Sequence, residues 1–286
     1  MGISFKRVTH SYHGARKKDI TIALNDINLD IEATSEFVAL VGRTGSGKST
    51  LIQHMNALIL PTDGNIQIFE YNITPNKKKN PKLKGIRRRV GFVFQFPEYQ
   101  LFEETVLKDI MFAPKNFGAT EEEAKQKALD IAKLLKIDDE LLNKSPFNLS
   151  GGQMRKVAIA GILSYEPDIL LLDEPTRGLD PQAAVEIMEI FNEIHKKTGK
   201  TIIIISHDMN IVYKYATRVV VMRDSEITYD GDKVRLFKSG IYKQNHLTKP
   251  DVLKLIDHLN ESLNYNIDYN IFSEEELLER LVMENE

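Results

Sequence analysis

The stretch Phe37-Val-Ala-Leu-Val-Gly-Arg-Thr-Gly-Ser-Gly-Lys-Ser-Thr50 decides the fold of this chain. Its first five residues are apolar and predict a buried strand, and a helical pattern runs from Lys48 to about Leu58. The turn between them satisfies G-x-x-x-x-G-K-[ST], directly after a strand and before a helix, as that motif requires. Backbone N–H groups in such a turn surround phosphate oxygens. The predicted phosphate-binding loop comprises Gly42, Arg43, Thr44, Gly45, Ser46, Gly47, Lys48, Ser49 and Thr50.

The sequence around this loop predicts an α/β fold. Residues 168–173 and 201–206 are apolar strands, and the helix between them begins at Pro181 and ends at Gly199. Uniformly apolar strands that alternate with helices indicate a parallel sheet covered on both faces. The first third of the chain alternates like half-buried strands, residues 104–166 are predicted to be helical, and residues 219–229 are predicted to form a hairpin. Two more helices are predicted near residues 249–263 and 273–283.

Composition excludes several classes of protein. The 286 residues contain no cysteine, so disulfides and thiolate metal sites are excluded. The apolar runs are far shorter than the ~20 residues that cross a bilayer, so we expect a soluble chain without a signal peptide. A net charge of −3 does not favour nonspecific nucleic-acid binding. The basic cluster from Lys77 to Arg89 is interpreted as a solvated loop, with a patch for anionic lipid or RNA as the alternative.

A carboxylate pair follows the strand at residues 169–173. Asp173 is the type of residue that a phosphate-binding loop requires for Mg²⁺ at the end of a neighbouring strand, and Glu174 follows it immediately. Ser49 would ligate the same ion, while Lys48 would reach the β- and γ-phosphates. We expect Glu174 to orient or deprotonate the attacking water.

A second possible anion site lies at Leu149-Ser-Gly-Gly-Gln153, which opens a helix. A simple helix N-cap by Ser150 is the alternative explanation.

Together these motifs resemble those of the ATP-binding cassette (ABC) ATPases, over about residues 3–232. The resemblance implies that residues 149–153 are the signature loop, Asp173 and Glu174 the Walker B metal ligand and catalytic carboxylate, and His207 a contact to the γ-phosphate. It implies that Tyr12 stacks on adenine. It also implies a parallel core sheet, an antiparallel β-subdomain, a helical subdomain at about residues 100–166, and a C-terminal helical extension over residues 233–286.

The resemblance explains the second anion site, because ABC cassettes dimerise head to tail around two ATP molecules. It implies that a partner's nucleotide is contacted in trans by Ser150, Gly151, Gly152, Gln153 and Asp180. Arg177 departs from the family pattern, which usually carries a small residue there. We expect this departure to affect the local loop and not catalysis.

The stretch from Gly91 to Val106 indicates which ABC ATPase this is. Gln95 lies at the family's Q-loop, which implies contact with Mg²⁺ and water, and the following Phe-Pro-Glu-Tyr-Gln-Leu-Phe resembles the energy-coupling factor (ECF) importers. Other ABC classes carry a coiled-coil insertion, a second cassette or fused membrane spans. The sequence shows none of these features. We expect a surface that docks on the coupling helices of a membrane partner, formed by Phe96, Glu98, Tyr99, Phe102, Glu103 and Glu104.

The ECF resemblance implies an ATPase that drives uptake of a vitamin or transition-metal ion, with ATP and Mg²⁺ as cofactors. Its implied partners are a second, paralogous ABC ATPase, a transmembrane coupling protein and a membrane-embedded substrate-binding subunit, and nucleic acid is not among them. The chain would lie peripherally on the cytoplasmic face of the membrane, with its C-terminal extension holding the dimer together. The alternative is a soluble regulatory or mechanochemical ABC ATPase acting on ribosomes or nucleic acid through the Lys77–Arg89 cluster.

Overall fold

The computed structural model describes residues 2–14 and 20–285; residues 1 and 286, the outer limits of the two expected domains, lie outside them. The strands are β1 (Ile3–His13), β2 (Ile20–Ile31), β3 (Phe37–Val41), β4 (Asp63–Ile68), β5 (Tyr71–Ile73), β6 (Val90–Val93), β7 (Ile169–Asp173), β8 (Thr201–Ile205), β9 (Arg218–Arg223) and β10 (Glu226–Asp232). The helices are α1 (Lys48–Met55), α2 (Leu83–Arg89), α3 (Val106–Asn116), α4 (Glu121–Leu134), α5 (Gly151–Leu163), α6 (Pro181–Thr198), α7 (Met209–Tyr215), α8 (Lys233–Lys238), α9 (Ile241–Gln244), α10 (Asp251–Ser262) and α11 (Glu274–Asn285).

The predicted parallel sheet is confirmed. In the described residues its strand order is β10-β9-β3-β8-β7-β6, and only the edge strand β10 runs antiparallel to its neighbour. Alternate residues of β3 face opposite layers: Phe37 and Ala39 join the core that includes α3 to α6, and Val38 and Leu40 join the core beneath β1 and β2. Burial on both faces is the reason that the strand is apolar throughout. The carboxyl ends of β3, β6, β7 and β8 consequently meet at one edge.

A second, antiparallel sheet has the strand order β2-β1-β4-β5. It packs over one face of the parallel sheet. It corresponds to the expected β-subdomain. The region predicted to be helical over residues 104–166 contains α3, α4 and α5, which are separated by turns. Gly118, with φ of 102°, ends the first helix, and Thr120 and Glu123 form a capping box that begins the second. Pro146 lies in the turn that precedes the third.

The C-terminal helices pack on the cassette. Leu253 and Ile256 on α10 are fully buried in the same core as α6 and α7. The side chain of Asn210 on α7 donates to Asp251 over 2.8 Å and accepts from its N–H at the same distance. Within the residues that the structure describes, no helix is long and apolar enough to cross a membrane.

Candidate functional site

The phosphate-binding loop leaves the buried strand β3 and ends at α1. Gly42 has φ of 141° and Gly47 has φ of 101°, both in the region that favours glycine. A Cβ on Gly42 would lie 2.1 Å from the Met222 carbonyl oxygen, and one on Gly47 would lie 2.2 Å from that of Ala23. Only glycine fits at either position, so the loop can curl over the start of α1 with its N–H groups turned towards an anion.

Lys48 lies across the mouth of this loop. Its Nζ donates to the carbonyl oxygens of Gly42 and Arg43, each over 2.8 Å. Burial lowers the pKa of the ammonium, and the charges of Glu174 and Asp173 oppose that shift. The predicted phosphate ligand and the predicted carboxylates therefore share one electrostatic site.

Asp173 is the last residue of β7 and pairs in register with Ile205 of β8. Burial, followed by the neighbouring charge of Glu174, raises its pKa, and a hydrogen bond from Ser49 acts in the opposite direction. The Ser49 hydroxyl and the Asp173 carboxylate thus meet, as the sequence predicted. The described residues contain no cluster of three or more His, Asp or Glu side chains that could hold a metal by themselves. A hard divalent cation fits this hydroxyl and carboxylate only if substrate oxygens or water complete its shell.

Glu174 is held by contacts from three segments. Its N–H donates to the Ile205 carbonyl oxygen over 3.1 Å, and its φ of 47° turns the side chain away from the strand. Gln95 Nε2 donates to Oε2 over 3.1 Å, and His207 Nδ1 lies 3.7 Å from Oε1. The structure therefore brings together Gln95, Glu174 and His207, which are 112 residues apart at their extremes (207 − 95). Arg177 Nη1 also donates to Oε2, over 2.9 Å, a contact that the sequence did not predict.

The loop before α5 is an exposed helix N-terminus that Ser150 caps. Ser150 Oγ accepts from the N–H of Gln153 over 3.4 Å, and Gln153 Oε1 accepts from the N–H of Ser150 over 3.0 Å. Both Gly151 and Gly152 are exposed, and a Cβ on either would have no neighbour within 4 Å. Asp180 is likewise exposed and caps α6 by accepting from Ala183 N–H over 3.0 Å. The capping expectation for Ser150 holds, and the exposed glycines leave room for an external ligand.

Tyr12 stands beside the phosphate-binding loop, with its hydroxyl 3.3 Å from Thr50 Oγ1. Its half-exposed ring meets the edge of His10, with centroids 4.6 Å apart, and His10 in turn meets His54 at 4.8 Å. Sequence reasoning missed both histidines. The spacing of His10 and Tyr12 on one strand was a usable signal, because residues two apart share a face.

The stretch from Phe96 to Glu104 presents exposed aromatic side chains at Phe96, Tyr99 and Phe102. The expectation that Glu98 belongs to the docking surface is wrong. Its carboxylate turns inward, and its side chain is only 13% exposed. It accepts two hydrogen bonds from Arg155, over 3.0 and 2.8 Å, and the Arg155 side chain is 4% exposed. Nothing in the sequence pairs these residues, which lie 57 positions apart. Glu98 therefore offers no free charge to a partner.

Glu104 remains on the surface, where its 81% exposed side chain pairs with Lys108 over 2.6 Å. Glu103 is half-buried, with its backbone N–H on Asp109 Oδ2 at 3.0 Å. The exposed part of the expected docking surface is thus the three aromatic side chains and Glu104, with the half-buried Glu103 between Phe102 and Glu104 in the chain.

Comparisons with known proteins agree with this geometry. The family profile described as ABC transporter matches residues 24–177. The chain is 48% identical over 272 residues to the energy-coupling factor transporter ATP-binding protein EcfA2 of Ligilactobacillus salivarius, covering 95% of this chain and 89% of that protein. It is 49% identical to the EcfA2 of Bacillus anthracis over 83% of this chain and 80% of that one.

Solved structures are similar as well. The cbiO1 protein of Clostridium perfringens, part of the ABC transporter complex cbiONQ, superimposes with a TM-score of 0.72 at 34% identity, covering 89% of this chain and 98% of that chain. A dimeric post-hydrolysis state of the cassette MJ0796 bound to ADP and Pi gives a TM-score of 0.70 at 31% identity, covering 80% and 98% of the two chains.

Proposed function

The chain belongs to the ABC transporter family, and from this we propose that it is the ATP-hydrolysing subunit that energises an energy-coupling factor importer. The observation that carries the proposal is the meeting of Lys48, Asp173, Glu174 and Gln95 at one sheet edge. Similarity to a protein named as an energy-coupling factor transporter ATP-binding protein extends over 95% of the chain and supports the transport role.

The reaction is the hydrolysis of ATP to ADP and phosphate. The N–H groups of residues 42–50 and the Lys48 ammonium hold the phosphate chain, and Tyr12 stacks on the adenine. Water attacks the γ-phosphorus in line with the bond to ADP, and Glu174 accepts the proton that the water loses. Gln95, whose Nε2 donates to Glu174 Oε2, helps to orient the water, and His207 contacts the γ-phosphate.

Mg²⁺ belongs to this site on the chemistry of its donors. The Ser49 hydroxyl, the Asp173 carboxylate and the Gln95 amide oxygen are hard oxygen ligands of the kind that Mg²⁺ takes beside phosphate oxygens. When bound, the ion supplies positive charge that offsets the charge developing on the transferred phosphoryl group.

The exposed loop at residues 150–153 and Asp180 serve a second cassette. In a head-to-tail dimer, Ser150, Gly151, Gly152 and Gln153 complete the partner's phosphate site with N–H groups at the start of α5. A paralogous ATPase is the partner we propose. The exposed side chains of Leu278 and Val282 on α11, one turn apart, support a further contact through the C-terminal extension.

We further propose that the surface formed by Phe96, Tyr99, Phe102, Glu103 and Glu104 docks on a transmembrane coupling protein, which itself holds a small substrate-binding subunit. Aromatic contact area and the exposed carboxylate of Glu104, with Glu103 beside it, suit basic, apolar helices. The chain then lies on the cytoplasmic face of the membrane, and the substrate is a vitamin or a transition-metal ion.

Replacing Glu174 with Gln tests the catalytic assignment. The amide keeps the shape but cannot accept the proton, so we expect turnover to fall at least about 100-fold while ATP affinity stays within about 2-fold. Turnover is measured by phosphate release and affinity by nucleotide titration. Normal turnover in Glu174→Gln contradicts the assignment.

Purification from membranes tests the partner assignment. The wild-type chain should co-purify with two integral membrane proteins and a second ATPase. The double variant Glu103→Gln/Glu104→Gln should recover less of the membrane proteins while retaining its ATPase activity. Co-purification with ribosomes or RNA in place of membrane proteins would favour the alternative ABC class, acting through the Lys77–Arg89 cluster.

A further inference from the structure

Arg177 covers the solvent side of the carboxylate that the proposed reaction needs. Its Nη1 lies 2.9 Å from Glu174 Oε2, and the arginine side chain is 53% exposed whereas that of Glu174 is 18% exposed. We propose that Arg177 is a positioning residue that holds Glu174 in a resting state and must leave Oε2 before this oxygen can accept the proton of the attacking water. This inference rests on the proposed function.

Competition for one oxygen atom is the first support. Oε2 accepts hydrogen bonds from both Gln95 Nε2 and Arg177 Nη1, and Oε1 has His207 Nδ1 at 3.7 Å. A carboxylate oxygen has about two lone-pair sites, so one of these two partners must leave before Oε2 can accept a hydrogen bond from the attacking water. The half-exposed guanidinium can move into solvent at small cost, whereas Gln95 is partly buried and carries no charge that water would stabilise. Arg177 is therefore the partner that can be exchanged for water.

The main chain of Arg177 has two contacts: its N–H donates to the Glu174 carbonyl oxygen over 3.1 Å, and its carbonyl oxygen accepts from a side chain of α5. Arg155 Nη1 donates to the Arg177 carbonyl oxygen over 2.7 Å, and the same side chain binds Glu98 in the docking stretch. Glu174, in contrast, is tied to the central sheet through its N–H on Ile205.

Arg155 therefore links the docking stretch to the turn that carries Arg177. A shift of α5 and the docking stretch relative to the sheet changes this turn and with it the position of the guanidinium. Engagement of a partner at the docking surface then separates the guanidinium from Oε2. The resting contact limits hydrolysis when no partner is engaged.

The experiment compares the full-length chain with Arg177→Met, which keeps the length of the side chain and removes its charge. We expect kcat for ATP to rise about 2- to 5-fold at low salt, the effect of losing one partly exposed ion pair, with KM unchanged. Arg177→Lys should restore most of the restraint. Arg223→Met is the matched control, because Arg223 is similarly exposed and lies 3.7 Å from the carboxylate of Asp224, its immediate neighbour on the hairpin; it should leave kcat unchanged.

The dependence of kcat on ionic strength distinguishes an electrostatic restraint of Glu174 by Arg177 from a purely structural role of Arg177. Between about 0.02 M and about 0.3 M salt the wild-type kcat should rise towards that of Arg177→Met, because salt screens an exposed pair. Glu174→Gln/Arg177→Met should stay inactive. A kcat in Arg177→Met equal to or below wild type, with Glu174→Gln inactive, overturns the inference and leaves the proposed function standing. If Glu174→Gln is as active as wild type, both fall.

Discussion

The ion pair between Glu98 and Arg155 gives the sharpest prediction about stability. Replacing Glu98 with Gln keeps the shape of the side chain and removes its charge. Arg155 would then remain 96% buried (100 − 4) without its carboxylate, still donating to the carbonyl oxygens of Arg177 and Pro175 over 2.7 and 3.4 Å. Breaking one half of a buried pair costs about 3–5 kcal/mol of the free energy of unfolding.

Glu104→Gln is the matched control, because it makes the same chemical change six positions along the same stretch. Its pair with Lys108 is exposed and screened by solvent, so the loss of stability should be much smaller than that of Glu98→Gln. Urea unfolding followed by circular dichroism measures both variants, and the transition midpoint should fall well below wild type only for Glu98→Gln.

A double variant tests the pair itself. Glu98→Met/Arg155→Met removes both charges together, so it should recover at least half of the stability that Glu98→Gln loses. Equal losses in Glu98→Gln and Glu104→Gln would refute the reasoning, since they would show that the buried pair contributes no more than a surface one. A double variant no more stable than Glu98→Gln would also count against it.

Two further predictions concern the nucleotide site and the dimer. Burial lowers the pKa of His54 to about 4, while its Nδ1 donates to the Thr50 carbonyl oxygen over 2.7 Å. The pKa of His54 in the folded state lies below its unfolded value of about 6.5. As pH falls, the imidazole is therefore protonated in the unfolded state before it is protonated in the folded state, which favours unfolding. Wild type should therefore lose up to about 3 kcal/mol more stability than His54→Phe as pH falls from about 6.5 to about 4, measured by urea titration at each pH; parallel curves would contradict this. On α11, Leu278→Glu/Val282→Glu should weaken nucleotide-free association with the partner ATPase, seen by analytical ultracentrifugation, whereas Glu274→Gln should not; an unchanged dimer would exclude this surface.

Much of the fold could be predicted from local pattern. The strands at residues 37–41, 169–173 and 201–205 are apolar on both faces, so the sequence is enough to place them inside a covered parallel sheet. The helix from Pro181 to Thr198 ends at Gly199 in the left-handed region, as its terminal residues predict. The sequence also indicated helices over residues 104–166, but the turns at Gly118 and Pro146 that divide them into α3, α4 and α5 were not specified.

The motifs at the nucleotide site were also visible in the sequence, because a phosphate-binding loop needs particular residues at fixed local spacing. Gly42 and Gly47 have positive φ and no room for a side chain, which is a constraint that one short segment expresses alone. The resemblance to a family supplied the roles of distant residues such as Gln95 and His207.

Only the tertiary structure decided which side chains pair when they lie far apart in sequence. Glu98 reads as a surface acid in an aromatic loop, yet packing of that loop against α5 places Arg155 beside it. Arg177 is only three positions from Glu174, but a turn in which its N–H bonds the Glu174 carbonyl is needed to bring its side chain back onto the carboxylate. Local sequence fixes backbone conformation and the pattern of burial, whereas the partner of a buried or returning charge depends on which elements the core brings into contact.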